Sequence, residues 1–344
     1  MKAKVSRREC VLAPAAGLLA VVRGNCVPSS ARAAGFLVSG RQLLFSGREV
    51  TLRGVAVGDV ILSRRGRPAS DYRLLADGWR VRLVRLSVHP GLWRSDQRGV
   101  LQELRANVQQ ARQGGIAPII DWHTIGWPDA QYMRPEPQWH LPDDVYDSSV
   151  ALARSFWDNV SREFGRRGDV IFELWNEPAL LPPRRDPPAY GAQWEQLRPV
   201  WVELISIVRQ YSDNLVLVTG GTWASDLTGV RSALIADRNT AYSWHVYPGT
   251  AGGTADGWAR ILDNLDAIRP VFVTEWGFSE KPGHYHGTAQ AFGKTFSEEF
   301  LERRGLHWTA WCWHPSWDPS LVQSDWRTPT PAGELARTLL ASRS

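Results

Sequence analysis

Eight short runs rich in β-branched and other apolar residues, each separated from the next by a longer amphipathic stretch, constrain this chain more than any other feature. They lie near residues 50–56 (VTLRGVA), 81–88 (VRLVRLSV), 116–121 (IAPIID), 169–175 (DVIFELW), 214–219 (NLVLVT), 241–246 (AYSWHV), 270–274 (PVFVT) and 306–313 (LHWTAWCW). Runs that are apolar on both faces suit parallel strands covered by helices, because a strand with one face in water would alternate. The intervening stretches include 99–113, stopped by Gly114-Gly115, and 149–164, stopped by Gly165, each with the glycine that commonly ends a helix. Eight such units in one chain predict an α/β fold of the (β/α)8, or TIM-barrel, type. An open doubly wound sheet is the competing arrangement, but no glycine-rich dinucleotide loop follows the first run. The piece 35–47 (GFLVSGRQLLFSG) reads as an N-terminal hairpin closing the bottom of the barrel, and 124–146, rich in Pro, Trp and Tyr, reads as a long loop shaping a groove.

Residues 1–33 have a different character. Lys2, Lys4, Arg7 and Arg8 precede an apolar run over 11–22, and Ala31-Arg32-Ala33 offers small residues for cleavage. That is the pattern of an export signal, with Ser6-Arg7-Arg8 resembling the twin-arginine type and an ordinary secretory signal as the alternative. Residues 34–344 then form a single catalytic domain, exported to the periplasm or the outside. Six of the 40 Lys and Arg, and one of the 35 Asp and Glu, lie in the leader, so the remainder carries equal numbers of each sign. A balanced charge gives no reason to expect nucleic acid as a partner, nor does any segment of the mature chain read as a membrane span. Cys10 and Cys26 leave with the leader, and Cys312 alone cannot close an intramolecular disulfide. A core must therefore stabilise the protein, and a monomer is expected.

The chain has 18 tryptophans, all after residue 78. Roughly half are expected to fill the barrel, and the rest to offer flat apolar faces against which sugar rings stack. Polar residues gather where the strands should end: Arg85 and His89, Asp121-Trp122-His123, Asn176-Glu177, His245-Val246-Tyr247, Glu275, and Trp311 with Trp313. Two of them, Glu177 and Glu275, each close a strongly apolar run, where an unpartnered carboxylate is costly. Facing one another across the barrel mouth, they suit displacement at a sugar carbon: one attacks, the other delivers a proton to the leaving oxygen. Repulsion and desolvation should raise the pKa of the acid, while Arg85 and Tyr247 hold the nucleophile ionised. Structural ion pairs are the alternative use of two such glutamates.

The segments RLSVHP (85–90), IIDWH (119–123), FWDNVSREFGRRGDVIFELWNEP (156–178), LVTGGTWASDL (217–227), YSWHVYP (242–248), PVFVTEWG (270–277) and WTAWCWHPSW (308–317) together resemble glycoside hydrolase family 5. The resemblance implies a retaining mechanism with Glu177 as acid/base and Glu275 as nucleophile. It also implies Asn176 as donor to the sugar 2-hydroxyl, Arg85 and Tyr247 as partners of the nucleophile, His123 and His245 lining the subsite, and Trp311 as its floor. His89, Trp223 and Trp313 complete the candidate sugar contacts. The segment 311–326 resembles bacterial endoglucanases of the family, implying endo-hydrolysis of a β-1,4-linked polysaccharide such as cellulose. β-Mannan, xyloglucan, transglycosylation and a barrel that binds carbohydrate without catalysis are the rival readings. Ala56 departs from the family pattern, in which a polar residue is often found. The reaction needs no organic cofactor and no metal; His284-Tyr285-His286 lacks a third ligand at a sensible spacing and reads as part of a groove loop.

Overall fold

A computed structural model describes residues 35–64, 66–68, 71–181, 191–250 and 253–342. The expected leader, with Cys10 and Cys26, lies outside the described residues. Eight parallel strands close into a barrel: β1 (Arg53–Asp59), β2 (Leu83–Val88), β3 (Ala117–Trp122), β4 (Ile171–Glu173), β5 (Val216–Thr219), β6 (Thr240–Val246), β7 (Val271–Trp276) and β8 (His307–Ala310). Each pairs with its sequence neighbour, and β8 closes on β1 through Trp308 opposite Arg53, Thr309 opposite Gly54 and Ala310 opposite Val55.

Helices cover the outside. The helix Gln97–Gln113 starts where the Asp96 side chain accepts from Gly99 N at 2.8 Å, and it ends at Gly114; Gly115 beyond it takes φ +69°, a conformation costly for any residue with a Cβ. The helix Val150–Phe164 is capped by Ser149 and followed by Gly165.

The first 15 described residues form a three-stranded antiparallel piece, Phe36–Ser39, Gln42–Phe45 and Arg48–Glu49. Phe36, Leu43 and Leu52 pack with Leu83, Ala117, Ile171, Ala241 and Phe272, all at the beginnings of strands, so this piece plugs the bottom of the barrel. The plug accounts for one displacement from the sequence reading. Val50 and Leu52 belong to its apolar cluster, and the first barrel strand begins only at Arg53.

More tryptophans enter the core than half. Eleven of the 18 are less than 2 % exposed. Several use the indole N–H to tie layers together: Trp201 on the helix Ala192–Arg209 donates to Thr219 O at the end of β5 at 2.8 Å, Trp157 to Leu174 O at 3.1 Å, and Trp244 on β6 to Ser225 O at 3.0 Å. A ring that is mostly hydrocarbon and carries one donor suits a site between a helix and a strand end. Among the described residues no helix is long and apolar enough to cross a membrane.

Candidate active site

Side chains from β3, from β4 and the turn after it, and from β7 converge on one buried guanidinium of β2. Arg85, in the middle of β2, is fully buried. Its Nε donates to Glu173 Oε2 at 2.6 Å, Nη1 to Glu275 Oε1 at 2.7 Å and Nη2 to Asn176 Oδ1 at 2.7 Å, with Asp121 Oδ2 at 3.1 Å from Nη2. Three carboxylates around one cation keep its pKa above the ordinary arginine value even against burial. A planar fork reaching four acceptors fixes strand ends more rigidly than an ammonium could.

Glu275 lies on β7 at a bulge. The pairing of β7 with β6 runs Val273 opposite Trp244 and then Glu275 opposite His245, so Thr274 is the extra residue. Bulges re-aim side chains, and here Thr274 and Glu275, neighbours that regular pleating would turn to opposite faces, both reach the barrel interior. Glu275 Oε2 accepts from the Tyr247 hydroxyl at 2.7 Å, so both oxygens of this carboxylate have donors. Burial outweighs Arg85 and Tyr247 and pushes its carboxyl up to about 7.

Glu177 lies four residues beyond the last ladder residue of β4. Its backbone continues the sheet nonetheless: Glu177 N donates to Thr124 O at 3.1 Å and Gly126 N to Glu177 O at 3.0 Å. Its Oε1 is 3.0 Å from His245 Nδ1, and neither Arg85 nor Tyr247 donates to it within hydrogen-bond distance. Burial first, and the charge of Glu275 second, hold its carboxyl well above the usual range. One oxygen of Glu177, one of Glu275 and a ring nitrogen of His245 all lie within 4.8 Å of one another. Two carboxyls of a retaining glycosidase stand about 5–5.5 Å apart and those of inverting ones about 6.5–9.5 Å. The separation here falls at the retaining end.

Glu177, His245 and Glu275 are also a conceivable set of metal donors. Their present partners fit proton chemistry better. A cation at Glu275 would compete with a guanidinium 2.7 Å away and a phenol at the same distance, and His245 Nδ1 already faces Glu177.

Around the pair, Asn176 spends its carbonyl oxygen on Arg85, which leaves its amide N–H groups as the free donor. His123 Nδ1 meets Asp121 Oδ2 at 2.7 Å, and its ring lies parallel to that of Trp311, centroids 5.5 Å apart. Burial depresses the His123 pKa well below the ordinary value and keeps the ring neutral. Trp311 stacks on Trp317 at 6.0 Å and is 9 % exposed. Ala56, Tyr247 and Cys312 form a small apolar cluster with it, so the departure from the family pattern at position 56 adds a methyl group to that cluster. His89 Nδ1 donates to the Asp59 carboxylate at Oδ2, 2.7 Å away, and the ring packs edge-on against His123 at 4.8 Å. Trp223 is half-buried against Ile125, Val145 and Tyr146, in a turn where Thr222, Trp223 and Ala224 all have positive φ.

Trp313 is different. Its ring is fully buried and packs against Trp326, so it has no exposed face to offer a sugar. Strand β8 stops at Ala310, and beyond it Trp311 N bonds to Trp276 O while Trp313 N bonds to Ala56 O, so the two tryptophans do not share a strand face as regular alternation would have them do. Other side chains at the site were not anticipated. Asp59 and Glu173 each stand in a buried strand run and carried the same signal as the two glutamates, an acid among apolar neighbours. Tyr146 and Tyr285 come from loops, and Tyr285 packs on Tyr247 with centroids 4.7 Å apart while His284 and His286 beside it are exposed.

A closed parallel barrel carrying two neighbouring glutamates at its mouth defines the architecture of the barrel glycosidases. The chain belongs to the cellulase family, glycosyl hydrolase family 5, whose model matches residues 45–316. It is 26 % identical over 286 residues to an endoglucanase N of Pectobacterium atrosepticum, covering 79 % of this chain and 55 % of that protein. An endoglucanase E-5 of Thermobifida fusca is 24 % identical over 275 residues, covering 77 % of this chain and 52 % of the other. The chain thus spans about half the length of these relatives. Among solved structures, a β-glucanase from Saccharophagus degradans superimposes with a TM-score of 0.78 at 25 % identity, covering 90 % of this chain and 94 % of that one.

Proposed function

We propose that this chain is a retaining endo-β-1,4-glucanase that hydrolyses β-glucan by double displacement, with Glu275 as nucleophile and Glu177 as acid/base. The observation carrying this reading is the asymmetry of the pair: two carboxyl oxygens within 4.8 Å, one group held by a guanidinium and a phenol, the other by an imidazole. Arg85 and Tyr247 favour the ionised form of Glu275 and aim it at the anomeric carbon. Glu177, more strongly disfavoured as an anion, delivers its proton to the glycosidic oxygen. When Glu275 becomes esterified its charge disappears, and with it one cause of the raised Glu177 pKa. The same side chain, left as the carboxylate once its proton has gone to the leaving group, is then better tolerated as an anion and serves as base towards water. Asn176 supplies a donor to the sugar 2-hydroxyl, His123 and His245 line the subsite, and Trp311 provides the stacking floor, with His89 and Trp223 further out.

The choice of β-glucan follows the relatives: a second structure of the S. degradans β-glucanase is a complex with cellotetraose, and it superimposes on this chain with a TM-score of 0.77. Soluble cellulose, mixed-linkage glucan and mannan are the test. Rapid formation of a range of oligosaccharides from the two glucans is expected. Activity on mannan alone, or release of one short product from chain ends, would contradict the substrate or the endo mode respectively. Residues 1–33 are proposed as an export leader of the twin-arginine type, and the mature enzyme as a monomer.

A further inference from the structure

The bulge in β7 does more than turn Glu275 inward. Thr274 Oγ1 is 2.7 Å from Glu173 Oε1 and 3.2 Å from His245 Nε2, and all three groups are buried. A hydroxyl has one proton to give. Burial raises the pKa of the Glu173 carboxyl, but its other oxygen takes the Arg85 Nε–H at 2.6 Å, which favours the carboxylate, and the Thr274 proton goes to Glu173. The lone pairs of Thr274 are then what faces His245, and Nε2 must carry the imidazole proton. In a neutral ring that leaves Nδ1 bare, and burial does keep His245 neutral, its pKa well below the ordinary value. Nδ1 faces Glu177 Oε1 at 3.0 Å and stands 3.6 Å from Glu275 Oε2. A bare nitrogen offers Glu177 a bond only while Glu177 is protonated.

We propose that Thr274 is a positioning residue that reads the negative charge of Glu173 and fixes the tautomer of His245, so that the acid glutamate is bonded in its protonated form and not as the anion. The relay runs Glu177 to His245 to Thr274 to Glu173, every donor pointing towards the carboxylate beside Arg85. It rests on the assignment of Glu177 as the acid. It adds a directional contact to the burial and the Glu275 charge that already disfavour the Glu177 anion. Other groups facing Glu177 are Arg85 from β2, Asp121 from β3, Glu173 from β4, Tyr247 just beyond β6 and the loop residues Tyr146 and Tyr285; His123 faces His245. Of these, only Glu173 is touched directly by a change at Thr274, through the bond to its Oε1.

Thr274→Val keeps the β-branched shape and removes the hydroxyl. His245 is then free to take the other tautomer and donate to the Glu177 carboxylate. The alkaline limb of kcat/KM on soluble glucan should fall by about one pH unit, the worth of one hydrogen bond. Thr274→Ser should restore it, and an aryl glycoside whose leaving group needs no proton should show no drop. Independently of any variant, 15N-labelled histidine in the wild-type enzyme should give His245 a protonated Nε2 and a bare Nδ1, the signals identified by their loss in His245→Asn. An unmoved or raised alkaline limb in Thr274→Val, or a protonated Nδ1 in the neutral wild-type ring, overturns the relay. Glu177→Ala separates this from the underlying assignment: if it hydrolyses glucan as well as the wild type, the acid itself is wrong. If it is crippled on glucan and rescued by azide while Thr274→Val leaves the limb in place, only the relay falls.

Discussion

Glu275→Gln should abolish turnover of glucan and of activated aryl glycosides alike, each by at least about 10⁴-fold, as expected when the nucleophile that opens a covalent route is removed. The amide keeps the shape of the carboxylate and one oxygen for Arg85 or Tyr247, which now donate to it at 2.7 Å each, so the fold should survive. Equal loss on both substrates is the informative part. The aryl substrate bypasses the proton donor but still needs the attacking oxygen. A Glu177 variant should therefore lose much more on glucan than in the first step with an aryl glycoside, whereas Glu275→Gln should not discriminate. The charge change has a second consequence: without the Glu275 anion, the Glu177 carboxyl loses a cause of its raised pKa and should titrate lower. Steady-state kinetics on the two substrates check the first point. A Glu275→Gln enzyme retaining a tenth or more of wild-type activity would exclude Glu275 as nucleophile.

Arg85→Met should be the most damaging single change to stability, at about 3–5 kcal/mol, the range seen when one partner of a buried ion pair is removed. Arg85 is shared by Asp121, Glu173 and Glu275, and no solvent reaches it, so the variant leaves several buried carboxyls without their cation. The pH dependence has a defined sign. Asp121 and Glu275 already have folded-state values raised by burial to about 6 and about 7, with the Arg85 charge the largest opposing influence. Without it they rise further. A carboxyl raised on folding contributes stability below its unfolded value, near 4, and loses that contribution as pH climbs through the folded value. The deficit of Arg85→Met relative to wild type should therefore be larger at pH 8 than at pH 5, measured as urea midpoints. A deficit equal or larger at pH 5 would mean that lost packing, and not stranded charge, dominates.

These effects trace back to residues whose significance differs in how visible it was in the chain. The barrel was legible because eight apolar runs, buried on both faces, repeat at βα spacing, and Glu177 and Glu275 stood out as acids ending such runs. Glu173 carried the same signal inside VIFELW, and only the structure shows that Arg85 requires it. Position was harder to read than identity. The run 50–56 divides between the plug, which takes Val50 and Leu52, and β1, because apolar character does not say which of two adjoining layers a residue enters. Trp313 was placed with Trp311 at the end of the eighth strand, but β8 already stops at Ala310. Thr274 gave no signal at all: a threonine in a strand is ordinary, and its role depends on a bulge that the pattern of apolar residues cannot encode. Tyr146 and Tyr285 arrive from loops whose course depends on the rest of the fold.

The stereochemistry of the first product tests the central claim most directly. A single displacement inverts the anomeric centre, whereas attack by Glu275 followed by water restores it. Proton NMR of a soluble β-glucan digest, recorded before mutarotation, should show the new reducing ends appearing first as the β-anomer and only later equilibrating. Initial appearance of the α-anomer would mean that water attacks directly, and the proposed roles of Glu177 and Glu275 would be wrong.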